Sequence, residues 1–463
     1  MSDTNTRVKE RINFCIKEGL WEQVPKFFAE LHPADIGEII NNANPQDQTR
    51  LFDLIDDDIK PDVLAELDDR AEADILEDMT AEEISDIVEE MAPDDAADLL
   101  GEMEKERSAE ILSLMEDADS EEVRELLQYG EDTAGGIMTS DFVAAHSGMT
   151  SAEAIEHIGS LDLDEPFYNL YVIDSENKLI GSVQIWELLK KTNRNLPLSK
   201  IANDEPIYVH TNADQEEVAR IAAKYDLSSL PVLDWQNKLV GRITVDDIMD
   251  VIEEEASEDI FKLAGSSDVE LEYTSPFSAC RARLPWLLIT LATGFITSII
   301  LTRFDEHLKV ASIGALIAFV PIIMGMGGNT GIQSSTLIIR GIALGASHSK
   351  RIRRIIVHEM IAGTTMGLIC GSAIGLWAHF LLSGKGEHPG IAPTYLAFTV
   401  AVALFSAMTF AAVFGALVPV LLDRIKIDPA IASGPFVTSS NDIFALLIYY
   451  GVTIAMIGAT HLN

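Results

Sequence analysis

"VPIIMGMGGNTGIQSSTLIIR", residues 320–340, lies in a long apolar region and yet carries Gly325, Gly327, Gly328, Asn329, Gly331, Gln333 and Ser334. Glycine lets backbones approach closely, and irregular or polar backbone is tolerated at membrane depth only where it is buried in protein or lines a cavity. Two readings stand side by side. Gly327 and Gly331, four apart, suit a small-residue contact between helices with no ion involved. That contact leaves Asn329 and Gln333 unexplained, and carbonyls freed at a glycine break together with these amides suit a polar path.

Apolar runs surround this stretch at about 284–301, 310–340, 355–382, 394–422 and 434–461, each long enough to cross a bilayer, which takes roughly 20 residues. The sequence therefore predicts five spans. Lys350, Arg351, Arg353 and Arg354 lie between the second and third runs, and Arg424 and Lys426 between the fourth and fifth. The positive-inside rule puts both groups in the cytosol if the first span leaves it. The expected topology is then a multi-pass protein of the cytoplasmic membrane with a cytosolic N-terminus and an outside C-terminus.

A charge within a bilayer costs at least about 2.5 kcal/mol, so intramembrane acids point to function. Asp305, Glu306 and Glu387 fall in expected outer loops and Asp423 and Asp428 in an inner one, which leaves Glu359 and Asp442. Glu359 stands near the cytosolic mouth of the third span beside His358 and Arg354, where it reads equally as a satisfied interfacial group or a functional one. Asp442 lies well inside the fifth span in "GPFVTSSND" (434–442), with Pro435 expected to loosen the helix. Asp442 and Asn329 together give an all-oxygen environment suited to a hard cation such as magnesium or calcium.

The remaining chain is strongly acidic. Residues 1–140 hold 40 Asp+Glu against 11 Lys+Arg, residues 141–280 hold 27 against 10, and residues 281–463 hold 7 against 12, so the whole net charge of −41 originates before residue 281. Phosphate backbones need Lys and Arg, which excludes nucleic acid as a partner and points to cations. Cys15, Cys280 and Cys370 show no pairing or ligand spacing, and residues 1–30 do not read as a signal peptide. No Ser/His/Asp set appears and "GMGGNTG" lacks the lysine of a phosphate loop, so no enzyme is expected.

Residues 1–130 read as an acidic helical domain, whose phrases "HPADIGEII", "KPDVLAEL", "TAEEISDIVEEM" and "APDDAADLLGEM" open with helix-start signals. Their irregular spacing predicts a compact superhelix. Residues 131–255 hold a clear repeat: "LYVIDSENKLIGSVQIWELLK" (170–190) and "LPVLDWQNKLVGRITVDDIMD" (230–250) align without gaps at an offset of 60, each reading strand, turn, strand, helix. Upstream, "FVAAHSGMTSAEAIEHI" and "PIYVHTNADQEEVARIA" place His146 and His210 in register. Two such units imply an intramolecular pair, and the pattern resembles a tandem CBS-domain pair. In "GRITVDD" Thr244 and Asp247 match the CBS residues that hold a ribose, whereas the first copy has Gln184 and Glu187, which restricts expected nucleotide binding to one site.

"VDDIMDVIEEEASEDIFKL" places Asp247, Asp250, Glu254, Glu255, Glu258 and Asp259 within thirteen residues, and helical spacing stacks several on one face. Asp94 and Asp98 in "PDDAAD" do the same. Such runs read as a solvated face or as cation sites; the richest one joins the repeat pair to the first span, through a helix expected over about 255–275.

The order of acidic all-α superhelical N-domain (1–130), α/β tandem CBS pair (131–255), connecting or plug helix (256–280) and five-helix transmembrane domain (281–463), with "GMGGNTGIQSSTLIIRGIALG" and "DPAIASGPFVTSSNDIFALLIYY", resembles the MgtE family of magnesium channels. The resemblance implies a homodimer in a lipid bilayer whose second and fifth spans line one pore, Asp442 holding a hydrated magnesium ion with Asn329 nearby. It implies regulatory magnesium at Asp94, Asp98, Glu216, Asp226, Asp247, Asp250, Glu255, Glu258, Asp259 and Asp428, closing the pore when cytosolic magnesium is high. It also implies ATP at the CBS pair, at Thr244 and Asp247. Ile332 and Phe444 depart from the residues usual in these two motifs, which bears on conductance and ion preference. An ion-coupled carrier of magnesium, cobalt or nickel, and a non-conducting membrane-anchored metal or adenine-nucleotide sensor, are the alternative readings.

Overall fold

The computed structural model describes residues 2–161, 166–266, 276–310, 314–343, 349–383, 391–432 and 434–461. It divides into two units, Met1–Glu253 and Glu254–Asn463.

The first unit begins with short helices, and the four phrases singled out in the sequence each start one: Pro33–Asn41, Lys60–Ala65, Ala81–Val88 and Pro93–Glu102. Proline occupies a first-turn position in three of them, where its missing N–H is not needed. The fourth has a reciprocal capping box, Thr80 Oγ1 accepting from the Glu83 N–H and Glu83 accepting from the Thr80 N–H. Each helix turns its apolar residues inward, Ile36, Ile40, Leu64, Ile84 and Leu100 among them, onto one shared core.

The repeat yields two three-stranded sheets of the same topology. Strands β1 (Ala144–His146), β2 (Asn169–Ile173) and β3 (Leu179–Gln184) form the first; β4 (Val209–His210), β5 (Ser229–Leu233) and β6 (Leu239–Thr244) form the second. In both, the first pair is parallel and the second antiparallel. The 60-residue offset survives in detail. Irregularities fall at Val172/Ile173 and Val232/Leu233, left-handed residues at Asn177 and Asn237, and Asp174 and Asp234 each accept two backbone N–H groups to close the turn. Asn tolerates the positive φ these turns demand. A helix Val245–Ala264 follows β6. The connecting helix expected over 255–275 thus ends at Ala264, and residues 267–275 lie outside the described residues.

The second unit contains five helices long and apolar enough to cross a membrane. The first span is Pro276–Val310, the second Val320–Ala343 after a 3-10 segment Gly314–Phe319, the third Ser349–Ser383, the fourth Pro393–Arg424 and the fifth Pro435–His461. Two details differ from the sequence reading. Asp305 and Glu306 belong to the first helix rather than to a loop, and Pro435 begins the fifth helix instead of loosening it, since proline fits the first turn without losing a hydrogen bond. Glu387 lies outside the described residues.

A four-residue glycine ladder, Gly363, Gly367, Gly371 and Gly375, seats the third span on the fourth. A methyl group at Gly371 would come within 2.7 Å of the Ala401 carbonyl oxygen, and one at Gly375 within 2.9 Å of Ala401 Cβ. The first span reaches the fifth through Phe304, whose ring meets Tyr449 and Tyr450 edge-on at 5.4 and 4.9 Å. Tyr449, fully buried, donates its hydroxyl to the Leu316 carbonyl at 2.8 Å.

Candidate ion pathway and cation-binding acids

The glycine-rich stretch is helical throughout, so its carbonyls stay in the helix ladder and no glycine break exposes them. Its glycines act by close approach. The second and fifth spans run antiparallel there, Gly327 meeting Ala445, Gly328 meeting Thr438 and Asp442, and Gly331 meeting Val437 and Asn441. A β-carbon at Gly328 would stand 3.5 Å from Asp442 Oδ1 and 3.4 Å from Thr438 Cγ2. One at Gly331 would overlap the Asn441 amide, and Gly415 of the fourth span presses on the Gly331 carbonyl from another side. Three spans therefore converge where the glycines permit it.

Asp442 is half-buried, and Asn329, next to Gly328, is exposed on the single chain, as is Gln333 one turn further on. Those two amides form an uncovered polar stripe in a membrane helix, which lipid cannot satisfy. Asn441, which the sequence reading passed over, is 1% exposed, and neither amide atom finds a hydrogen-bond partner among the described residues. Its signal was its place beside Asp442; the direction it faces was not legible. Phe444 is accommodated by an aromatic trio, its ring 5.0 Å from Phe410 and 5.1 Å from Phe414.

The expected regulatory acids distribute as follows. Asp94 is buried and Asp98 exposed on the helix Pro93–Glu102. Asp98 faces a group the sequence did not single out: burial first, then the charges of Glu102, Asp69 and Asp98, push the Glu72 carboxyl up to about 8. Glu102 is also raised, by burial and then by Asp69 and Glu131. Glu216 and Asp226 stand at opposite ends of the helix Gln215–Tyr225, Asp226 as its left-handed cap. Asp247 is half-buried and Asp250 exposed. Burial raises the Asp247 carboxyl, against the pull of two Thr244 hydrogen bonds, the N–H donating at 3.0 Å and the hydroxyl also donating. Thr244 and Asp247 thus cap the start of Val245–Ala264. A cleft of about 370 Å³ also opens between the two copies of the repeat, lined by Tyr171, Gln184, Glu187, Asp226 and Ser229 among others.

Within the second unit, Glu258, Asp259 and Asp428 gather near the ammonium of Lys262, which lies 2.7 Å from Asp428 Oδ2 and also pairs with Glu258. Burial pulls the Lys262 pKa down, and the bonds to Asp428 and Glu258 overcome it and raise it. Burial, then the Asp428 charge, raises the Asp259 carboxyl. Glu255 is half-buried on the same helix. Among the described residues, no group of three or more acid, His or Cys side chains is arranged to hold a metal ion.

Comparison with known proteins accounts for this layout. Residues 320–452 match the divalent cation transporter family MgtE, residues 31–132 the MgtE intracellular N domain, and residues 134–193 and 198–254 the CBS domain. The chain is 40% identical over 333 residues to the magnesium transporter MgtE of Thermus thermophilus, covering 71% of this chain and 70% of that one. This chain belongs to the MgtE magnesium transporter family. A second MgtE, from Bacillus subtilis, is 35% identical over 338 residues, 72% of this chain and 71% of its own. The solved cytosolic domain of a magnesium channel MgtE in complex with ATP is 30% identical and covers 52% of this chain and 99% of its own, with a TM-score of 0.49. As an MgtE transporter with five membrane-length apolar helices, the chain is a membrane protein.

Proposed function

We propose that this protein is a magnesium channel of the cytoplasmic membrane, in which two copies form one pore lined by their second and fifth spans. The observation that carries this reading is the apposition of the Asp442 carboxylate to Gly328, beside the uncovered Asn329 and Gln333. A carboxylate at membrane depth requires an aqueous or protein surround. Facing amides from a second copy close such a surround, and its all-oxygen lining suits a hydrated hard cation. The cytosolic N-terminus and outside C-terminus follow from the flanking lysines and arginines. Passage through such a pore needs no catalytic group.

Cytosolic magnesium closes the pore by binding the compact arrangement of the acidic domains better than the loose one, which shifts the population toward closed. The ligands are Asp94 and Asp98, Glu216 and Asp226, Asp247 and Asp250, and Glu255, Glu258, Asp259 and Asp428, with the crowded carboxyls of Glu72 and Asp259 as the physical support. ATP is assigned to the CBS pair at Thr244 and Asp247, which stand hydrogen-bonded to each other at the head of the helix Val245–Ala264.

Magnesium uptake into proteoliposomes tests the pore. Asp442→Asn is expected to reduce flux at least about a hundredfold, the cost of removing a close charge from an ion site. Undiminished uptake refutes the assignment, and currents that require a proton or sodium gradient favour the carrier instead.

A further inference from the structure

Glu359 is an acid at membrane depth that the path described above does not use. It is 7% exposed on the third span, and its Oε2 accepts a hydrogen bond of 2.8 Å from Ser334 Oγ of the second span, itself 1% exposed. A hydrogen bond to a carboxylate is shorter and stronger than a neutral one, and burial strengthens it further.

The two ends of this bond differ in rigidity. Gly363 lies one turn beyond Glu359 and begins the ladder that seats the third span against the fourth, so Glu359 stands on a fixed platform. Ser334 lies six residues after Gly328, about 120° around the helix at roughly 100° per residue. The hydroxyl therefore leaves the second span by a different face from the one that meets Asp442. The fourth and fifth spans already meet this helix at Gly327, Gly328 and Gly331; the Ser334 bond adds a directional polar contact on another side, which the side-chain-free glycines do not supply.

We propose that Glu359 is a positioning residue of the ion path: through Ser334 it fixes the rotation of the second span, so that Gly328 and Asn329 are presented to Asp442. This rests on reading Asp442 as the pore carboxylate. The bond joins the rigid third and fourth spans to the helix that carries the glycine-rich stretch. Loss of either partner leaves the other buried without its hydrogen bond and removes the directional part of what holds the second span in register.

The test is magnesium uptake by the full-length protein in proteoliposomes, with thermal melting of each variant. Ser334→Ala removes one oxygen atom and preserves packing. Ser334→Ala and Glu359→Ala are each expected to lower maximal flux about tenfold, the kinetic equivalent of one lost charge-assisted hydrogen bond. The double variant is expected to be no worse than Glu359→Ala alone, because both remove the same contact. Glu359→Gln and Ser334→Thr keep an acceptor and a donor and are expected to retain at least about half the flux. Additive losses, a Gln variant as damaged as the Ala variant, or flux that falls only as folded protein falls would each overturn the inference. Wild-type uptake and its loss in Asp442→Asn are measured first. Retained flux in that variant strikes the pore reading, whereas unchanged flux in the Ser334 and Glu359 variants, where Asp442→Asn is dead, strikes this inference alone.

Discussion

Two spans carry runs of glycine, and the difference between them lies in what each run approaches. Along the third span, Gly363, Gly367, Gly371 and Gly375 meet Ala412, Phe405 and Ala401 of the fourth. Along the second, Gly327, Gly328 and Gly331 meet Ala445, Thr438, Asp442 and Asn441 of the fifth. Helices in lipid gain no hydrophobic energy by associating, so close van der Waals packing is what small residues contribute in both places. In the third span the glycines meet the Phe405 and Ala401 backbone and alanine methyls, beside an apolar cleft of about 430 Å³, and among the described residues no titratable group stands opposite them. In the second, the space admits a carboxylate and an amide whose polar atoms packing alone leaves unsatisfied. A glycine run therefore marks close approach, and only the residue opposite tells whether the approach serves stability or transport.

Substitutions in the two runs sharpen this contrast. Gly331→Val forces a branched side chain into the Asn441 amide and Val437, and is expected to abolish magnesium flux with the protein still inserted. A compensating Asn441→Ala, which removes the obstructing group, is expected to restore part of the flux, and its failure to do so removes Asn441 from the explanation. Gly371→Leu overpacks an apolar seam, which costs about 1–3 kcal/mol. It is expected to lower the melting temperature while leaving flux per folded molecule near wild type. A change in ion selectivity from Gly371→Leu would erase the distinction between the runs.

Much of this was legible in the sequence. The offset of 60 between "LYVIDSENKLIG" and "LPVLDWQNKLVG" carries the turn chemistry of Asp174 and Asp234 and the left-handed Asn177 and Asn237, because those requirements are local. Span number was legible for the same reason: hydropathy is a property of one segment. Asp442 stood out because a charge in an apolar run is costly wherever the run packs. What stayed hidden depends on contacts between distant segments. The glycine ladder was present as a four-residue period, yet its partner Ala401 lies far along the chain. Ser334 and Glu359 are 25 residues apart on different spans, and neither announces the other. Asp69, Glu72 and Glu102 looked like ordinary solvated acids until the fold crowded them.

The acid clusters outside the spans supply a contrast of the same kind, between one gathered on a lysine and one whose carboxyls raise a buried neighbour. Glu258, Asp259 and Asp428 have Lys262, whereas Glu72, Asp69, Asp98 and Glu102 repel one another. Lys262→Met removes the tethered cation and leaves the three acids facing each other. Melting in a chelator is expected to fall, and the stabilisation gained on adding magnesium to grow, because the ion no longer competes with an ammonium. Equal magnesium responses in the variant and wild type would show that Lys262 and magnesium act at separate places.

The smallest expected effect belongs to Glu72. Its carboxyl is raised from the usual 4.5 to about 8, chiefly by burial and then by Glu102, Asp69 and Asp98. A raised acid favours folding while it is protonated, so its contribution is fully present below the unfolded value and is lost as pH rises toward the folded one. In a chelator, the wild-type protein is therefore expected to be less stable than Glu72→Gln near pH 8, and the two to converge near about pH 4.5, where both side chains are neutral in the fold. Magnesium is expected to narrow the gap at the higher pH, because a divalent cation among these acids offsets the repulsion that the substitution relieves. Melting curves of the two proteins across that range, with and without magnesium, measure it directly. If Glu72→Gln brings no gain at high pH, crowding at Glu72 is not what makes this acidic surface depend on a cation, and the contrast with the Lys262 cluster fails.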